Sequence, residues 1–249
     1  PLVDNISRVM LLAIGLVSSS AVLVCRYTLH ESDRRFVFIN LILLAVAGLN
    51  GIILASDLFS LYVFLEVVGV ASFILIAFEL EKNGFEGSFK YLLLSAVATV
   101  LMLSAVAIFL IFAGSVSYTA VGATLKGASS DPLLLLATAL FVTGLFIKGG
   151  LVPFHGWLPD AYSSAPAPAS VFLAGIVTKT GGLYTLVRLV SNVFGWSPAV
   201  HAVLLLVGCV SLLAGAFLAI GQNDMKRMLA YSSISQMGYI LLGFGLATP

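Results

Sequence analysis

Residues 141–182 read FVTGLFIKGGLVPFHGWLPDAYSSAPAPASVFLAGIVTKTGG. Two apolar stretches, each carrying one lysine, flank a centre rich in glycine and proline. Gly149, Gly150, Pro153 and Pro159 cannot all sit inside one regular helix, because proline removes a backbone donor and glycine loses entropy there. The apolar pattern nevertheless runs from about 133 to 164 before it restarts at 167. A helix that crosses, breaks and resumes is the reading that fits. Such a break at membrane depth survives only where protein or a water-filled cavity satisfies the freed backbone groups, and in transporter-like bundles it often forms an ion site.

The surrounding composition says the solvent is lipid. Of 249 residues, 60% are hydrophobic and 9% charged, against about 25% charged in a soluble domain. So few charges could not coat a globule in water. Lipid permits only helices and closed barrels, since every backbone polar group must pair internally. The apolar runs reach roughly 20 residues, the length of a spanning helix rather than of a barrel strand. The fold class is therefore an all-α membrane protein, a polytopic helical bundle of about eight spans with one broken helix. Spans are expected at about 6–25, 36–55, 58–78, 89–113, 133–164, 167–190, 201–221 and 228–248. The stretch 114–132, rich in glycine, serine and alanine, reads as the longest loop. The chain starts at Pro1 and stops at Pro249 after an apolar run, and it reads as a fragment of a longer protein.

Loop charges orient the bundle. Arg26, Arg34, Arg35, Lys82, Lys90, Lys226 and Arg227 fall on one side; Arg8, Lys126 and Arg188 fall on the other. Cytoplasmic loops carry the excess of Lys and Arg. Residue 1 is thus expected on the outer side of a prokaryotic cytoplasmic (inner) membrane. There is no basic stripe, zinc-ligand spacing or phosphate-binding glycine loop, so nothing points to nucleic acid, a metal or a cofactor. Cys25 and Cys209 lie far apart in apolar segments and read as small packing residues.

Three ionisable residues depart from this pattern. Glu66 lies inside the third span, in LYVFLEVVGVASF, residues 61–73. Lys148 lies where the fifth span breaks, and Lys179 lies in the middle of the sixth. Each costs roughly 2.5–3.5 kcal/mol on insertion scales at the bilayer centre, and such residues normally mark ion or proton paths. Their bland alternative is a buried pair that locks helices together, or snorkelling lysines. A lysine suits proton relay because burial favours the neutral amine while an approaching carboxylate favours the ammonium, so its proton can be gated. His155 lies seven residues beyond Lys148; histidine is a common proton-exchanging side chain, and here it either relays protons or fixes the broken turn. His201 reads as a helix-start residue, and Trp157 and Tyr162 read as interfacial aromatics. Ser232, Ser233, Ser235 and Gln236 form a polar patch in the last span. That patch either glues helices or lines a polar path through Ser232, Ser235 and Gln236. Asp224, Lys226 and Arg227 read as interfacial charges.

These residues occur in three stretches that resemble one family: IKGGLVPFHGWLPDAYSSAPAPASVFLAGIVTKTGG (147–182), VFLEVVGVASFIL (63–75) and DMKRMLAYSSISQMGY (224–239). The chain resembles the antiporter-like, proton-translocating membrane subunits of respiratory complex I, Mrp-type antiporters and membrane-bound hydrogenases. The resemblance implies a fragment of a fourteen-helix, inverted-repeat, antiporter-like fold. Residues 1–35 would be a leading helix, 36–190 the first five-helix repeat and 201–249 the start of a truncated second repeat. It implies a proton relay through Glu66, Lys148 and Lys179, with His155 matching the histidine of the family's PFH segment. Gln236 stands where some members carry a histidine. The fragment would hold an inlet half-channel and part of the central axis. Expected partners are other membrane subunits of a redox or antiporter complex, the lipid bilayer and protons, with Na+ as the competing ion. Electron transfer would fall to partner subunits, with no cofactor in this chain. A gradient-driven Mrp-type Na+/H+ antiporter subunit and a non-transporting structural subunit are the alternatives.

Overall fold

A computed structural model describes residues 3–128 and 131–246 of the protein. They form a helical bundle: α1 Asn5–Thr28, α2 Ser32–Leu54, α3 Leu58–Ile76, α4 Lys82–Ala113, α5 Tyr118–Gly127, α6 Pro132–Gly149, α7 Trp157–Ser164, α8 Ala167–Phe194, α9 Pro198–Ile220 and α10 Met225–Leu246. Local chemistry sets the starts. Asp57 accepts the Ser60 amide at 2.7 Å, and Asp131 and Ser197 cap α6 and α9 ahead of Pro132 and Pro198. Each side-chain oxygen satisfies an amide that has no partner inside its helix, and proline needs none at that position.

Seven helices among the described residues are long and apolar enough to cross a membrane. Their outward faces carry bare Ile111, Phe217 and Ile220, as lipid solvent requires. The protein is an integral membrane protein. The eighth expected span, α10, is a helix of 22 residues. Lys226, Arg227 and its hydroxyl patch make it less apolar than the seven. It lies along α9 through small residues: a Cβ added at Gly238 would sit 2.4 Å from the Leu212 nitrogen.

The structure departs from the sequence reading in three places. The expected loop 114–132 contains the short helix α5, whose Tyr118 and Val121 are buried. Its entrance is held by two backbone hydrogen bonds to the start of α3, Leu58 N–H to the Val116 carbonyl at 2.9 Å and Tyr118 N–H to that of Ser56 at 3.1 Å. Ten residues, six of them glycine, alanine or threonine, carry too little periodic signal to announce this helix. The sixth span is continuous to Phe194 but not plain: Leu173–Val177, Lys179–Tyr184 and Val190–Phe194 are π-helical. Trp157 and Tyr162, expected at an interface, are buried in the core, because both hydrogen-bond backbone carbonyls inside the bundle.

The fifth span breaks where expected. α6 ends at Gly149, and Gly150 adopts a left-handed φ of +64°. The Leu151 amide reaches the Phe146 carbonyl at 3.0 Å and the Gly150 amide that of Ile147 at 3.0 Å, the paired closure of a Schellman turn. Beyond it the Val152 amide donates to Ser211 Oγ of α9 at 3.1 Å, and Trp157 Nε1 donates to the Ile147 carbonyl at 3.1 Å. Protein groups rather than bulk water thus answer the exposed backbone, as depth in a bilayer demands.

Charges sort to the two ends as the loop count implied. Arg34 donates to the Phe78 carbonyl, and Lys90 and Arg227 pair with Asp160 at one end; Asp4 pairs with Arg188 at the other. The Ser7 amide and then the Arg188 guanidinium hold the Asp4 carboxyl down at about 2.

Two outcomes are expected. Gly150→Ala should cost at least about 1–2 kcal/mol from the left-handed backbone alone, with a further clash because its Cβ would meet Leu158 Cδ1 at 2.5 Å; thermal unfolding in detergent measures it. Asp4→Asn should destabilise by roughly 0.5–1 kcal/mol through the weakened cap and ion pair. Because the folded carboxyl titrates below its ordinary value, its contribution is fully present from pH 5 to 8. It is lost as pH falls toward about 2. A wild-type-to-variant gap in melting temperature that varies across pH 5–8 would contradict this.

Candidate functional site: a buried lysine at the helix break

Lys148 closes α6, one residue before the helix end, with its side chain 5% exposed. The Schellman turn that follows prevents the chain from carrying it outward. Its ammonium donates to Glu66 Oε1 at 2.9 Å and to Ser95 Oγ at 2.7 Å. Glu66, from α3, also accepts from Thr99 Oγ1 at 2.8 Å. An unpaired buried cation would cost several kcal/mol, so this set of acceptors is a condition of the fold. Glu66 is less enclosed, 31% exposed against 5% for its partner. The carboxylate therefore has an open side and the ammonium does not.

Helix α4 supplies what the sequence reading missed. Tyr91, Ser95 and Thr99 recur every four residues and so share one face. Ser95 meets Lys148 and Thr99 meets Glu66. Tyr91 packs against Trp157, the rings tilted at 58° with centroids 4.7 Å apart. This face was visible as hydroxyls at helical spacing in an apolar run, but hydroxyls in such helices are common glue, and the spacing names no partner.

Lys179 lies on α8, half-buried. Its ammonium donates to the Ala174 carbonyl, five residues back. Thr185 does the same toward the Thr180 carbonyl at 2.8 Å. Side chains thus reach across widened turns, and such π segments occur frequently at functional sites. The Lys148 and Lys179 elements touch directly. A Cβ at Gly182 would lie 2.3 Å from Gly149 Cα, and one at Gly181 would lie 3.4 Å from Leu65, the neighbour of Glu66. At Gly182 only glycine permits so close an approach.

His155 sits in the break with Nδ1 buried and without a hydrogen-bond partner among the described residues, its ring 6.5 Å from that of Tyr231. Of the polar patch on α10, Ser235 donates to the Leu212 carbonyl at 3.0 Å, Ser232 is half-buried, and Gln236 faces outward. His201 binds the Gly245 carbonyl at 3.0 Å near the opposite end of the α9–α10 pair. Among the described residues no group of acids, histidines and cysteines could hold a metal ion. The structure thus brings Glu66 and Lys148 into contact and sets Lys179 on the adjoining helix. It places the serine patch and Gln236 on a separate helix.

Known proteins resemble the chain over most of its length. The family described as NADH:quinone oxidoreductase/Mrp antiporter, TM, matches residues 55–249. The chain is 39% identical over 211 residues to NADH-quinone oxidoreductase subunit N of Desulforudis audaxviator, covering 84% of this chain and 42% of that protein. It is 29% identical over 246 residues to an Na(+)/H(+) antiporter subunit of Alkalihalophilus pseudofirmus, covering 98% and 50%. Among solved structures, a chain of the Mrp complex from Dietzia sp. superposes with a TM-score of 0.82 at 29% identity, over 96% of this chain and 45% of that one. A chain of respiratory complex I from Thermus thermophilus gives 0.79 at 31% identity, over 98% and 52%. An archaeal membrane-bound sulfane sulfur reductase chain gives 0.84 at 30% identity, over 96% and 49%. The chain spans about half the length of the curated relatives it matches.

Ser95→Ala should destabilise the protein by about 1–3 kcal/mol, because it removes an acceptor from a buried cation. Thr99→Val, which removes a donor shared between the more open carboxylate and the Ser95 carbonyl, should cost less, about 0.5–1.5 kcal/mol. Melting temperatures of the two purified variants, compared side by side, check the order; a larger loss for Thr99→Val would reverse it.

Proposed function

The chain belongs to the NADH:quinone oxidoreductase/Mrp antiporter transmembrane family, and from that premise we propose that it is a proton-translocating, antiporter-like subunit of a membrane redox complex. The observation that supports this is the Glu66–Lys148 pair at the helix break. An ammonium sealed from solvent, with one ionised partner and one hydroxyl, depends on both. When Glu66 swings toward its open side, the ammonium is left unpaired in a low dielectric, and passing its proton onward relieves that cost. Lys179, on the helix that meets the break through Gly149 and Gly182, is the next acceptor along the axis. His155 offers a titratable ring at the break, and Ser232, Ser235 and Gln236 a continuation along α10. Electron transfer belongs to other subunits of the complex, and this chain holds no cofactor in the proposal. The end bearing Lys90 and Arg227 faces the cytoplasm of a prokaryotic cell, and residue 1 lies outside.

A second reading rests on a specific likeness. The likeness to an Na(+)/H(+) antiporter relative and to an Mrp complex chain supports a gradient-driven Na+/H+ antiporter subunit with the same relay. Proton transport in vesicles carrying the full-length protein in its parent complex separates the readings. Lys148→Met should lower transport at least tenfold while assembly, followed by native gel, stays normal. Dependence on an electron donor supports the redox assignment, and dependence on Na+ alone supports the antiporter. Normal transport by Lys148→Met would remove that residue from the path, and joint loss of transport and assembly would leave the pair a structural lock.

A further inference from the structure

Helix α7 touches both lysine-bearing segments at equivalent places. From its first residue, Trp157 Nε1 donates to the carbonyl of Ile147, the residue before Lys148. From its sixth, the Tyr162 hydroxyl is 2.8 Å from Thr178 Oγ1, the residue before Lys179, and donates to the Leu173 carbonyl at 3.1 Å. The two rings meet edge to face at 6.4 Å, and Trp157 packs at a tilt against Tyr91 of α4. Both aromatics are buried. The outer side of the same helix is gripped by charge. Asp160 accepts from Lys90 Nζ at 2.6 Å and pairs with Arg227 Nη1 at 2.8 Å, while Lys226 Nζ donates to the Ala165 carbonyl at 3.0 Å, just past its C-terminus. The body of α7 is pressed on α4: a Cβ at Gly87 would lie 2.5 Å from Ser164 Oγ and 2.9 Å from the Asp160 carbonyl.

We infer that α7 is a strut that positions Lys148 and Lys179 together, with Trp157 and Tyr162 as its two arms and Asp160 as its handle. Two turns of helix held at both ends and along one side move as a unit. A displacement of Asp160 relative to Lys90 or Arg227 therefore reaches residues 147 and 178 at once. Neither aromatic exchanges a proton in this scheme; both act through the backbone or hydroxyl that precedes a lysine. A shift at the charged end of the bundle, where α4 and α10 meet α7, is thereby felt at two points on the axis. The inference rests on the relay reading of Lys148 and Lys179 proposed above.

The test is the pH profile of proton transport in vesicles carrying the full-length protein in its parent complex, comparing Tyr162→Phe, Thr178→Ala, Thr178→Ser and Lys148→Met, with assembly checked for each. Tyr162→Phe and Thr178→Ala remove the same hydrogen bond from opposite sides. Each should assemble normally, lower transport about three- to tenfold, as one hydrogen bond allows, and displace the pH profile. Thr178→Ser, which keeps the hydroxyl, should behave as wild type. Wild-type rates and profiles for both Tyr162→Phe and Thr178→Ala, with Lys148→Met inactive, overturn the strut and leave the relay standing. Wild-type transport by Lys148→Met overturns the relay and the strut with it. Failure of both Tyr162→Phe and Thr178→Ala to assemble makes the bond a structural tie and overturns the positioning role.

Discussion

The Lys148 ammonium, with 5% of its side chain exposed, sets the terms for everything around it. A cation in that position must be neutralised and hydrogen-bonded, or the helix that carries it will not pack. Glu66 and Ser95 meet that demand, and each comes from a different helix. The pair therefore welds α3, α4 and α6 into one unit. Thr99 braces the carboxylate from behind. In the proposed relay, the interaction that stabilises the bundle is also the one whose loosening would free a proton, so stability and transport would share the same atoms.

A second constraint comes from the backbone. In lipid an open carbonyl or amide has no water to turn to, yet this protein breaks one spanning helix and widens another. Both departures are answered by side chains. Trp157 covers the end of α6 and Ser211 takes the Val152 amide. Tyr162, Lys179 and Thr185 serve carbonyls of α8. One consequence is that the two lysines are tied to irregular backbone, which can rearrange at lower cost than a regular helix. Another is that the polar side chains in these segments have duties to the fold before they have any in transport.

Relatives in redox complexes and in antiporters match this chain with similar coverage. That pattern accords with the proposal of a proton-handling unit whose driving force comes from elsewhere. The exposed flank of Glu66 and the outward-facing Gln236 lie on surfaces that the described residues leave open.

Much of this was legible in the chain itself. Lipid as solvent, helices as the only outcome, the break between Gly149 and Pro159, and the odd placement of Glu66, Lys148 and Lys179 all follow from composition, span length and the cost of charge in hydrocarbon. They are one-dimensional properties, because a bilayer imposes its thickness and polarity on every helix alike. What only the tertiary structure decided is who meets whom. Ser95 and Thr99 could not be singled out from the other hydroxyls, because a helical period fixes a face but not the neighbour across from it. Trp157 and Tyr162 looked like interface residues, because the carbonyls they bind lie 10 and 11 residues away on backbone whose irregularity no local pattern announces. The π turns of α8 and the helix α5 escaped for the same reason. Their stability comes from contacts made after the bundle closes, not from the propensities of the residues that form them.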